Sequence, residues 1–138
     1  MRKVLLTLFI LIITVTYGFC NTNSYDKYGS KTGSYKTNAM GNITQYDKHG
    51  NKEYTYKKTT SGYTSYDKYG QKTGSFKTNG DIMTEYNKYG SKVATYKTNG
   101  STTTSYNKYG QKTGSYKTDS IGRITEYDKY GRKVRSYK

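Results

Sequence analysis

The chain has 138 residues, a formal net charge of +15 at pH 7, and 19 tyrosines beside no tryptophan and no proline. That length fits one domain after a leader, and the excess of positive charge favours anionic partners. With nine acidic residues, one histidine and one cysteine, the chain lacks the convergent groups that acid–base catalysis or a metal site requires. We therefore expect no enzyme activity, no cofactor, no metal and no small-molecule substrate.

Residues 1–20 resemble a secretory leader. Two basic residues precede an apolar run over residues 4–15, and small or polar residues follow. This order is typical of a signal peptide, although the run approaches the length of an uncleaved membrane anchor. We expect cleavage after Gly18 or Cys20 and an extracytoplasmic location, whether secreted, periplasmic or at the cell surface. Lipidation at Cys20 is disfavoured because bulky Phe19 occupies a position where a lipoprotein signal needs a small residue.

Residues 21–138 consist of six near-copies of one unit. The stretch Tyr-Asp-Lys-Tyr-Gly, or a close variant, recurs at spacings of 21, 20, 20, 20 and 21 residues, beginning at Tyr25, Tyr46, Tyr66, Tyr86, Tyr106 and Tyr127. A fixed period of this size indicates a repeat architecture. The Asp or Asn side chain accepts backbone hydrogen bonds, and the glycine three residues later adopts the left-handed conformation. Each stretch therefore predicts a type I turn followed by a glycine bulge.

The segments between these turns are five to seven residues long and rich in Thr, Tyr and Ser, which predicts strands and leaves no room for a helix. Connectors such as residues 78–80, 98–100 and 118–122 carry a second turn signal. We therefore predict an all-β fold of six tandem antiparallel hairpins. In the third hairpin we expect Tyr66 to pair with Lys72. The period of two then predicts one face with Thr64, Tyr66, Lys72, Gly74 and Phe76, and another with Tyr63, Ser65, Thr73, Ser75 and Lys77.

Few aliphatic residues follow the leader, so tyrosines must supply most of the buried surface. An elongated or curled open sheet is one architecture that satisfies this requirement, and its edges could recruit further strands. A closed barrel or a β-solenoid, with a tyrosine face inside, is the alternative. For the open sheet we expect the arginine-rich last unit to act as a cap that protects the edge.

The last unit, residues 122–134 with the sequence GRITEYDKYGRKV, resembles the YD repeat of the RHS and teneurin families. The resemblance is close in this unit, and the other units share its period. It implies β-hairpin repeats outside the cytoplasm. In that family long runs of repeats wind into a shell that can enclose a toxin domain, and some members bind carbohydrate. Six units are too few for such a shell. The hairpin repeats of choline- and glucan-binding wall proteins are similar in length but use tryptophan, which is absent here.

Lysine recurs as regularly as tyrosine. One row of candidate ligand-binding residues lies two positions after the first tyrosine of each unit, at Lys27, Lys48, Lys68, Lys88, Lys108 and Lys129. A second row, four positions later, contributes Lys72, Lys92 and Lys112, and the tyrosines between the rows contribute Tyr66, Tyr86 and Tyr106. Such rows attract anionic polymers, and tyrosines can stack on sugars or bases. The competing interpretation is that the lysines only solubilise the sheet.

We therefore expect an exported structural or adhesive repeat protein that makes multivalent contacts with anionic polymers or glycans at the cell surface. The expected partners are anionic polysaccharide, another envelope polymer or extracellular DNA, with membrane contact only through residues 1–20 if they remain uncleaved. One alternative is a cell-wall or carbohydrate-binding module with aromatic sites between hairpins. Another is a fibre subunit that associates edge to edge.

Overall fold

The computed structural model describes residues 21–138, which form twelve antiparallel strands and contain no helix. The strands are β1 (Asn21–Asp26), β2 (Lys31–Thr37), β3 (Ile43–Asp47), β4 (Lys52–Thr59), β5 (Gly62–Asp67), β6 (Lys72–Asn79), β7 (Ile82–Asn87), β8 (Lys92–Asn99), β9 (Thr102–Asn107), β10 (Lys112–Thr118), β11 (Ile124–Asp128) and β12 (Lys133–Tyr137). The predicted all-β class and the six tandem hairpins are confirmed. The predicted leader lies outside the described residues.

The sheet closes into a barrel in which each strand pairs with its neighbours in sequence and β1 pairs with β12. At this seam the Asn23 N–H donates to the Lys138 carbonyl at 2.7 Å, and the Lys138 N–H donates to the Asn23 carbonyl at 2.9 Å. The alternative architecture, a closed barrel, is therefore the one observed. The prediction that the last unit caps an open edge was wrong, because its last strand pairs with the first strand and Arg135 lies opposite Asp26.

The predicted turn is present at all six Tyr-Asp-Lys-Tyr-Gly stretches. In the third, the Gly70 N–H donates to the Asp67 carbonyl at 3.0 Å, and Gly70 has a φ of +82°. The Asp67 carboxylate accepts the N–H groups of Tyr69 and Gln71, both at 2.9 Å. This is a type I turn followed by a left-handed glycine, and the acidic side chain satisfies two backbone donors that the turn leaves unpaired.

The connectors explain why the first and last spacings are 21 residues and the three between them are 20. In the first and fifth connectors Asn38 and Asp119 rebuild the same turn, each accepting backbone N–H groups two and four residues further on. The other three connectors are two-residue turns, and Gly80 and Gly100 have a φ of +56° at the first central position. This geometry fits the type II′ turn that favours glycine there. The extra residue of the longer period therefore lies in the connector.

A second bulge in each hairpin changes which residues share a face. Tyr66 pairs with Lys72 as predicted, but Ser65 pairs with Gly74, so that Thr73 is left as a bulge. The predicted faces were therefore wrong beyond Lys72, because this bulge shifts the second strand by one residue and exchanges its inner and outer positions. The third hairpin turns Tyr63, Ser65, Gly74 and Phe76 inward.

Six aromatic side chains, one from each hairpin, form the core of the barrel. None is more than 3% exposed, and they are Tyr35, Tyr56, Phe76, Tyr96, Tyr116 and Tyr137. The rings of Tyr56 and Phe76 lie 6.4 Å apart at 57°, within the range of favourable tilted aromatic contacts. Ile43, Met83 and Ile124 fill the space beside them. Phenol rings therefore replace most of the aliphatic packing, as the composition required.

The inner face also alternates between two kinds of hairpin, which sequence reasoning missed. The first, third and fifth hairpins pair an inner serine with a glycine, as in Ser65 with Gly74. The second, fourth and sixth carry a longer polar residue and no glycine, as in Glu85 with Ala94. A Cβ on Gly74 would lie 2.5 Å from the Tyr86 carbonyl oxygen. The structural repeat is therefore a pair of hairpins, and the barrel has approximate three-fold symmetry.

Candidate functional site

All six Tyr-Asp-Lys-Tyr-Gly turns lie at one end of the barrel, since every first strand of a hairpin runs in the same direction. We call this the turn end and the opposite end, which holds the connectors, the connector end. The predicted turn lysines Lys27, Lys48, Lys68, Lys88, Lys108 and Lys129 are all exposed here. The structure therefore places this row in one ring around the turn end.

Five of these lysines lie beside an exposed tyrosine. The Lys68 Nζ is 4.9 Å from the centre of the Tyr69 ring, and the other four pairs measure 4.8–4.9 Å. The tyrosines are 71–82% exposed and comprise Tyr28, Tyr69, Tyr89, Tyr109 and Tyr130. We call the six turn lysines and these five tyrosines the turn-end rim. These tyrosines were not among the candidates chosen from the sequence, although the third position of a type I turn points toward solvent.

The second lysine row adds charge to the same end. Lys72, Lys92 and Lys112 are exposed and occupy the first positions of their strands, directly after the turns. Lys31, Lys52 and Lys133 hold the equivalent positions. Two strands per repeat separate neighbouring lysines by roughly 10 Å around the barrel. The two rows therefore form two tiers of positive charge at the turn end.

The predicted tyrosines Tyr66, Tyr86 and Tyr106 have a different role. They are half-buried on the outer wall, and lysines of the preceding hairpin lie over their rings at 5.0, 5.6 and 5.5 Å. The same contact joins all six hairpins, and Lys138 over Tyr25 at 5.6 Å completes it across the seam. We call Lys36, Lys57, Lys77, Lys97, Lys117 and Lys138 the wall lysines. These contacts are cation–π interactions that support the barrel wall and cover one face of each ring.

The acidic residues of the turn end are engaged within the turns. At Asp47 the hydrogen bond from the Asn51 side chain lowers the pKa of the carboxyl. At Asp128 the backbone N–H of Arg132, followed by the side-chain contact of that arginine at 2.7 Å, has the same effect. These carboxylates remain ionised at neutral pH, but they are outnumbered by the two tiers of lysine. The electrostatic potential at the turn end is therefore positive.

The barrel interior holds buried polar groups that bond to one another. The Tyr96 hydroxyl donates to the Glu85 carboxylate at 2.7 Å, and the Tyr56 hydroxyl donates to Gln45 at 3.0 Å. Burial raises the pKa of Glu85, although the hydrogen bond from Tyr96 partly opposes this. No group of three or more His, Cys, Asp or Glu side chains within residues 21–138 is placed to hold a metal ion. These interior pairs therefore help to specify the core.

Comparisons with known proteins add no further assignment. No family model matches the chain, and no curated protein is significantly similar to it. Within the part of the chain that the structure describes, no helix is long and apolar enough to span a membrane. The resemblance to YD repeats therefore stays a prediction, and the surface of the barrel is the feature that bears on function.

Proposed function

We propose that the barrel is an extracytoplasmic adhesive protein that binds anionic polysaccharide through the turn-end rim. The observation that carries this proposal is the collection of six turn lysines, with five exposed tyrosines, at one end of the closed barrel. Single exposed aromatic side chains are common on protein surfaces, but these five recur around one end of the barrel. Here each lies beside a lysine, and this combination suits a charged sugar polymer.

The binding would be multivalent. Each exposed lysine contributes little at physiological ionic strength, where the Debye length is about 8 Å. A polymer that follows the rim meets a new lysine roughly every 10 Å. Once the first contact forms, the others become intramolecular, so the overall affinity exceeds that of any single contact. The tyrosine rings offer apolar faces on which sugar rings can stack.

The alternatives receive less support. A wall-binding module with aromatic sites between hairpins would use Tyr66 and its equivalents, but the wall lysines cover one face of those rings. Edge-to-edge fibre growth needs an unpaired strand, and each of the twelve described strands is paired on both sides. Extracellular DNA and other envelope polymers are also anionic, so the affinity of the test variants for these polymers is measured alongside.

The test compares two triple variants that remove equal charge. Lys68→Gln, Lys88→Gln and Lys108→Gln alter the rim, whereas Lys57→Gln, Lys77→Gln and Lys97→Gln alter the wall lysines. Affinity for an acidic polysaccharide at low salt is expected to fall at least tenfold in the rim variant and much less in the wall variant. Equal losses in both variants would show binding by general charge and contradict the proposal. Salt-resistant binding to one neutral sugar would instead favour the wall-module alternative.

A further inference from the structure

The connector end exposes three apolar side chains, which lie in or directly after alternate connectors. Met40 is 74% exposed, Ile121 is 72% exposed and Ile82 is 43% exposed. Met40 and Ile121 occupy the same turn position that carries the exposed tyrosines at the other end, because their connectors repeat the same turn. The two intervening connectors carry no apolar side chain, because they consist of Thr60 and Ser61 and of Gly100 and Ser101. The three apolar side chains therefore follow the three-fold alternation of the barrel.

The wall lysines surround this end. Lys77 pairs opposite Thr84, and Ile82 is two residues closer to the connector end on the same strand. Two residues of strand correspond to roughly 7 Å. The other wall lysines hold equivalent positions and are all exposed. The backbone of Lys77 therefore lies roughly 7 Å behind Ile82, while its ammonium group lies over the Tyr86 ring, further from the connector end.

The described part of the chain begins at the same end. Asn21, the first described residue, pairs with Lys36 and starts β1 at the connector end. The peptide bond that joins residue 20 to Asn21 therefore lies near the wall lysines and the apolar tips. The apolar run over residues 4–15 suits a bilayer interior, whether as a leader or as an anchor.

From this arrangement we propose that the connector end faces an anionic bilayer while residues 1–20 are attached. Met40, Ile82 and Ile121 insert into the interface, where apolar side chains reach about 5–10 Å into the headgroup region. The wall lysines, whose side chains lie over tyrosine rings in the free barrel, then swing toward the lipid phosphates, which attract them. The turn-end rim points away from the membrane. This proposal is independent of polysaccharide binding, because it uses the opposite end of the barrel.

The turn end also carries lysines and aromatic residues and is the rival contact surface, so the test must report which end meets the lipid. The full chain with Cys20→Ser is reconstituted into phosphatidylcholine–phosphatidylglycerol vesicles. Single cysteines introduced by Ile121→Cys, Thr60→Cys or Tyr109→Cys carry an environment-sensitive dye. Circular dichroism confirms the β fold of each variant, and Met40→Cys replaces Ile121→Cys if that variant fails to fold.

We expect a blue-shifted emission and quenching by lipid-borne quenchers at position 121, a smaller effect at position 60 and none at position 109. Replacing Met40 and Ile82 by serine should reduce the shift at position 121, and vesicles of phosphatidylcholine alone should do the same. Equal signals at positions 109 and 121, or a larger signal at position 109, would overturn the proposed orientation. An unchanged signal in neutral vesicles would overturn the role of the wall lysines.

Discussion

The Tyr116 hydroxyl is buried in the core, and a simple count of lost contacts would predict that removing it destabilises the barrel. Tyr116 is 1% exposed, and its hydroxyl has no hydrogen-bond partner among residues 21–138. The equivalent residue of the third hairpin is Phe76, which is also 1% exposed and lies beside the same serine–glycine pair. We therefore expect Tyr116→Phe to stabilise the barrel, because it removes a buried polar group that loses its bonds to water on folding.

The size of the effect follows from the cost of burying a hydroxyl. Leaving such a group unpaired costs about 1–3 kcal/mol, while the small void left by the oxygen atom offsets part of the gain. We expect the free energy of unfolding to rise by about 1 kcal/mol and Tm to rise by about 4 °C for a domain of this size. Urea unfolding followed by circular dichroism measures the change.

Two matched variants make the prediction decisive. Phe76→Tyr adds a hydroxyl at the equivalent site and should lower the free energy of unfolding by about 1–2 kcal/mol. Tyr96→Phe removes the hydrogen bond to Glu85, 2.7 Å long, and should lower it by about 1–3 kcal/mol. If Tyr116→Phe destabilised the protein as much as Tyr96→Phe, the Tyr116 hydroxyl must have a bonding partner and the reasoning would be wrong.

Three further predictions concern the alternation and the turns. Burial raises the pKa of Glu85 above its ordinary 4.5. The protonated carboxyl therefore contributes stability below pH 4.5, and this stability is lost as the pH rises through the pKa of the folded state. Glu85→Gln, which copies Gln45, should flatten this fall in unfolding free energy, and an unchanged pH profile would contradict it. Gly74→Ala should lower the free energy of unfolding in urea by about 2 kcal/mol or more, since its Cβ would lie 2.5 Å from the Tyr86 carbonyl oxygen. Ala94→Gly, at the matching position of the other kind of hairpin, should lower it by about 1 kcal/mol. Equal losses in the two variants would argue against two kinds of hairpin. Asp67→Ala should lower the melting temperature by removing two hydrogen bonds worth about 1 kcal/mol together, and Gln71→Ala, which keeps both bonds, should have little effect.

The hairpins and their turns could be predicted from the sequence because their determinants are local. An Asp or Asn followed three residues later by glycine specifies the turn within five residues. The same local chemistry predicts the pairing of Tyr66 with Lys72, which the structure confirms. The six turn lysines could be placed in one row for the same reason, since equal turns at a fixed period must lie at one end of the sheet.

Closure could not be predicted because it depends on small shifts that accumulate around the sheet. Thr44 pairs with Thr55, which pairs with Tyr66, so the register advances by two residues in each repeat. Thr125 makes the same step to Tyr25 through Ser136, across the seam. A steady advance of this kind tilts the strands as a barrel requires.

Part of this advance in register arises at bulges such as Thr73, and no residue of the repeated motif predicts such a bulge. The prediction of which residues share a face was wrong from the same residue onward. The exposed rim tyrosines were missed for a different reason. The candidates chosen from the sequence were Tyr66, Tyr86 and Tyr106, whereas the turn geometry exposes the tyrosines three residues later in each stretch. The lysines that cover Tyr66 and its equivalents belong to the preceding hairpin, so that contact also required the register between hairpins.

Amide hydrogen exchange at the seam can show whether the twelve strands close into a ring. In the closed barrel the N–H groups of Asn23 and Lys138 bond to each other's carbonyls at 2.7 and 2.9 Å. We expect both amides to exchange as slowly as the Thr78 and Thr98 amides, which make comparable bonds at interior hairpins. Fast exchange at Asn23 and Lys138, with slow exchange at Thr78 and Thr98, would show an open sheet and contradict the barrel.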